Sequence, residues 1–193
     1  PEDDMPGFAR ISVIHRERTA ARSLSLSAVQ KLGPQEFGPQ TSEPYAWSWA
    51  LCEFLSHHPR YRERFQQLGE SIFRTSVGPE FQRLFADDAV PMGIEWAQFA
   101  RHIAPGYDFA RTAIEFEAGK PLGPPDATIS IRADHGWQSS KIAVEAGATY
   151  AISATGQVTL GKSTKPWLSG PEGITLRYAD GRPIGKLLAG ILE

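Results

Sequence analysis

The chain has 193 residues, 41% apolar and 22% charged, with 20 Lys and Arg against 22 Asp and Glu, five histidines and one cysteine. A net charge of −2 leaves no basic footprint for a nucleic-acid partner, and a single cysteine excludes an internal disulfide or a thiolate metal cage. No membrane span is expected: the longest apolar run, 187–192, is broken by Gly190 and falls far short of the roughly 18 residues a spanning helix needs.

Pro1-Glu2-Asp3-Asp4 has neither the basic start nor the apolar middle of a signal peptide, and an opening that is not methionine reads as a piece of a longer polypeptide. A helix is expected over about 7–22 and a short one near 27–32, followed by a Pro/Gly loop at 33–44. Prolines then mark helix starts, where a missing N–H costs nothing: Pro44 before 45–57, Pro59 before 60–73 and Pro79 before 80–86. Tyr61, Phe65, Leu68 and Ile72 recur at helical spacing, as do Trp96, Phe99 and Ile103 further on.

Ala118-Gly119-Lys120-Pro121-Leu122-Gly123-Pro124-Pro125 can continue neither a helix nor a central strand. The composition changes on either side of it. Residues 1–117 carry 12 basic and 16 acidic side chains, whereas 118–193 carry 8 and 6 and hold 11 of the 18 glycines. A helical domain at 1–117, a linker at 118–127 and a β domain at 128–193 follow. Short β-branched runs predict strands at 128–132, 141–145, 150–154, 157–160, 174–178 and 184–191, the last two joined by the hairpin signal Asp180-Gly181. The fold class is therefore α+β, a helical segment followed by a small antiparallel β-sandwich that is incomplete.

Gly156-Gln157-Val158-Thr159-Leu160-Gly161-Lys162-Ser163 fits the phosphate-loop pattern letter for letter. Its interior favours a strand, and Pro166 stands where the required helix would be in its second turn, so nucleotide binding is disfavoured. None of His15, His57, His58, His102 and His135 stands four residues from another, and no His-Glu-x-x-His occurs. His57 and His58, before Pro59, suit a helix end, and Asp87-Asp88 suits a turn with capping oxygens. Cys52 reads as a small buried apolar residue. Tyr45, Trp47 and Trp49 cannot share one helix face, so core packing with at least one ring turned elsewhere stands beside a ligand-stacking surface. No catalytic residue and no metal ligand are expected in this chain.

Tyr45-Ala46-Trp47-Ser48-Trp49-Ala50-Leu51 with Phe54-Leu55, His58-Pro59-Arg60-Tyr61-Arg62-Glu63-Arg64-Phe65, Glu95-Trp96, Phe99 and Gly106-Tyr107-Asp108 resemble the C-terminal part of a bacterial family of zinc-peptidase-like proteins of the gluzincin kind. The resemblance implies a parent whose zinc-binding helices precede this region and which is exported to the periplasm or beyond. The second segment resembles the galactose-binding-like β-sandwich of galactophilic bacterial lectins. That likeness rests on Gly136-Trp137-Gln138-Ser139-Ser140-Lys141-Ile142, Val144-Glu145-Ala146-Gly147, Ile152-Ser153-Ala154-Thr155-Gly156, Gly170-Pro171-Glu172-Gly173 and Arg182-Pro183-Ile184-Gly185-Lys186-Leu187-Leu188. In such lectins most calcium and sugar ligands lie on a later Asp/Asn-rich loop, so zinc and calcium are implied for the complete parent and no cofactor for this chain.

The candidate carbohydrate-binding residues are Trp137 and Trp167, whose indoles in loops could stack on a sugar or plug the ends of the sandwich, and Glu172, which the resemblance places beside the sugar. The expectation is a non-catalytic part of a zinc-peptidase-like protein carrying a carbohydrate- or surface-binding module. The alternative is a structural or adhesion protein without enzymatic activity.

Overall fold

The computed structural model describes residues 7–71, 77–123, 126–161 and 165–192. The chain divides into two compact units, Pro1–Lys120 with Ile129–Ile142, and Pro121–Thr128 with Ala143–Glu193. The stretch 129–142, which the sequence pattern assigns to the β domain, lies in the first unit.

The first unit is helical: α1 (Phe8–Thr19), α2 (Leu26–Gln30), α3 (Glu43–His57), α4 (Arg62–Ser71), α5 (Val77–Phe85), α6 (Ala89–His102) and the single turn α7 (Phe109–Thr112). Gly7 caps α1 at φ +87°, where a Cβ would run into the Trp49 ring, so only glycine fits. The helix stops at Thr19 instead of 22 because Ala21 turns left-handed at φ 56°. That reversal brings the Arg22 guanidinium back onto Glu17, with Nε and its terminal nitrogen 2.9 and 2.8 Å from the carboxylate oxygens. Pro44 sits in the first turn of α3, as a residue without an N–H should. α4 begins at Arg62 and not at 60, because His58 before Pro59 is extended at ψ 127° and the chain must first turn.

α3 and α6 carry the interior. Ala46, Trp47, Ala50, Phe54 and Leu55 are the buried stripe of α3, and Met92, Glu95, Trp96, Phe99 and Ala100 that of α6. Their rings meet directly: Trp47 with Trp96 at 6.1 Å between centroids, and Phe54 stacked on Phe99 at 5.6 Å. The three rings early in α3 have three different surroundings. Trp47 is in the core, Trp49 lies under Arg10, and exposed Tyr45 meets the edge of Phe37 at 5.0 Å. Cys52 is exposed, not buried; two residues from buried Ala50 is about 200° around a helix, on its opposite side. Asp88 makes no cap for α6 but pairs with Arg64, which also donates to the Leu84 carbonyl at 3.0 Å.

A strap completes the first unit. The Gly136 N–H donates to the Arg111 carbonyl (2.7 Å), the Glu115 N–H to the Trp137 carbonyl (3.1 Å) and the Lys120 N–H to the Lys141 carbonyl (3.0 Å). The bonds advance together along both stretches, which therefore run in the same direction. Lys141 and Glu117 form an ion pair at 2.8 Å across it. The expected strand at 128–132 does not form. Instead the Gln138 amide bonds both to the Arg132 N–H (3.0 Å) and to its carbonyl (2.8 Å), occupying with a side chain the groups a ladder would use.

The described strands are β1 (Lys120–Pro121), β2 (Ile142–Ala143), β3 (Val158–Gly161), β4 (Trp167–Ser169), β5 (Ile174–Ala179) and β6 (Arg182–Ile184), forming the pairs β1-β2, β3-β4 and β5-β6. The α+β class stands, but these are three two-stranded sheets and not two facing ones. The run 150–154 forms no strand, since β-branched residues favour extended backbone yet cannot supply a ladder partner. β5 and β6 turn through Asp180 (φ 50°) and Gly181 (φ 74°), the double positive φ of the tight hairpin the sequence signals. β6 ends at Ile184, well short of 191, because Gly185 goes left-handed at φ 75° and is packed against Ser169 and Leu160. Among the described residues of the second unit only Ser169 is buried. No helix among the described residues is long and apolar enough to cross a membrane.

Candidate functional site

Two places in the first unit concentrate chemistry, a buried polar cluster and a cavity. The cluster arises because the turn after α3 puts His58 and Tyr61 against Glu95, a carboxylate on the apolar stripe of α6. The His58 Nε2–H faces Glu95 Oε1 at 3.2 Å, the Ile114 N–H donates to the same oxygen at 2.9 Å, and the Tyr61 hydroxyl donates to Oε2. The Arg60 N–H donates to His58 Nδ1 at 3.3 Å, which leaves Nε2 as the ring nitrogen facing Glu95. Burial pushes the Glu95 carboxyl up, but the bonds from His58, Tyr61 and Ile114 outweigh it and hold the group below its ordinary range. Burial, with the carboxylate as its partner, pushes the Tyr61 hydroxyl well above the usual phenol range.

Each polar atom of this cluster has an internal partner, and His58 is further held by stacking on Tyr61 at 4.6 Å between centroids. Arg60 closes the arrangement by donating to the Ile114 carbonyl at 3.0 Å while lying over the Phe116 ring. Glu95 thus fixes the start of the strap to the α3–α4 turn. The network is a lock: its donors and acceptors serve one another. The sequence signal was a carboxylate at the i+3 position of the Met92, Trp96, Phe99 stripe, which the apolar period passes over.

The cavity is an open pocket of about 770 Å³ between α2 with the chain before it, α5 and α6. Phe81, Met92, Ala89 and Gly93 line it together with the polar side chains of Ser27 and Gln82. The Trp96 indole N–H donates to the Leu24 carbonyl at 2.9 Å, so the polar edge of that ring is already engaged.

The three residues expected to bind carbohydrate are divided. Trp137 belongs to the first unit and is 39% exposed, its backbone carbonyl tied into the strap. Trp167 and Glu172 belong to the second. Trp167 opens β4 instead of lying in a loop, paired with Gly161 beyond a bulge and 50% exposed. Glu172 is exposed in the turn that follows, where the Gly173 N–H donates to the Gly170 carbonyl at 3.0 Å and Gly173 has φ +80°. Of the phosphate-loop pattern, Val158–Gly161 is the strand β3, and Lys162 and Ser163 lie outside the described residues. No group of three or more His, Cys, Asp or Glu side chains placed to hold a metal ion occurs among the described residues. Comparison with protein-family models, curated proteins and solved structures finds no match to this chain.

Proposed function

We propose that the chain is a non-catalytic part of a zinc-peptidase-like protein and that its second unit binds carbohydrate on a cell surface or matrix. The observation that carries the reading is Trp167, a half-exposed indole at the start of a short strand whose other end leads into the Glu172 turn. An indole face suits the apolar face of a sugar ring, and a carboxylate nearby in sequence accepts hydrogen bonds from sugar hydroxyls. The first unit supports the non-catalytic half of the reading, because its buried His58, Tyr61 and Glu95 are spent on one another.

Titration with methyl β-galactoside and a panel of other monosaccharides, with and without calcium and followed by tryptophan fluorescence, tests this. Saturable binding that disappears in Trp167→Ala and weakens about tenfold or more in Glu172→Ala is expected. Trp137→Ala reports whether the indole of the first unit takes part. Absence of binding to every sugar, or binding indifferent to Trp167→Ala, overturns the proposal.

A further inference from the structure

We draw no further inference here: the strongest candidate, the open pocket between α2, α5 and α6, joins a strip of small α6 residues, Ala89, Gly93 and Ala97, to exposed serine and glutamine side chains, and nothing in the structure shows what covers it.

Discussion

The two units treat their apolar side chains in opposite ways. In the helical unit, residues brought to one face by three- and four-residue spacing, such as Trp47, Phe54, Trp96 and Phe99, are almost wholly buried. In the second unit, Leu176 and Tyr178, brought to one face by two-residue alternation, remain 79% and 58% exposed. A helix satisfies its own backbone and needs only another apolar stripe to cover its own. A strand needs a ladder on each side and a facing layer, and a two-stranded hairpin supplies neither in full. Similar chemistry in the side chains therefore yields a core in one unit and a surface in the other.

The contrast is sharpest at Trp96, where truncation to Ala should cost the helical unit about 3–5 kcal/mol, read from denaturant unfolding by far-UV circular dichroism. A loss below about 1 kcal/mol would break the comparison, because it would mean that the interior is not close-packed. Glu95→Ala should cost nearly as much, about 3 kcal/mol, since it leaves the His58, Tyr61 and Ile114 donors buried without their acceptor.

Glu95 also gives the helical unit a pH signature. Its carboxyl titrates lower in the folded chain than the ordinary value near 4.3. The stabilisation is therefore fully present above that ordinary value and is lost as pH falls through the folded one. Melting temperatures across an acid series should fall less steeply in Glu95→Gln than in the parent. Equal slopes would remove Glu95 from the acid sensitivity of the fold.

Gly136→Ala tests whether the strap shares the rigidity of the helices it joins. The new Cβ would stand 3.0 Å from the Thr112 carbonyl oxygen, and crowding of this kind costs about 1–3 kcal/mol. A thermal melt of the helical signal that does not shift would separate 129–142 energetically from the first unit. The smallest effect is expected in the second unit, where Leu176→Ser should stay within about 0.5 kcal/mol because the side chain already faces water. A larger loss would show that this surface is covered in solution.

Most helices were legible because period and punctuation agree: the prolines 44 and 79 fall in first turns, and Trp96 and Phe99 share a buried stripe. The Asp180-Gly181 hairpin and the strand at Val158–Gly161 were legible for the same kind of reason, a local turn geometry and a local alternation. What misled was everything that depended on a distant partner. The run 128–132 has strand composition, but the Gln138 side chain takes both backbone groups of Arg132 at its end. Cys52 is the exception, since its outward position follows from the helical period within α3 itself. Trp137 and Trp167 are carbohydrate candidates by type and loop context and Glu172 by resemblance, and the structure divides them, Trp137 in one unit and Trp167 with Glu172 in the other.

The sequence by itself determined the α+β class, the order of helices before strands and the tight hairpin, since each depends on bonds and contacts within a few residues. Only the tertiary structure decided that Glu95 would be a buried acceptor for three donors, that the small residues of α6 would leave an open cavity, and that 129–142 would join the helices. Those outcomes depend on which surfaces meet across long stretches of chain, and periodicity records what a residue faces along its own element, not what arrives opposite it.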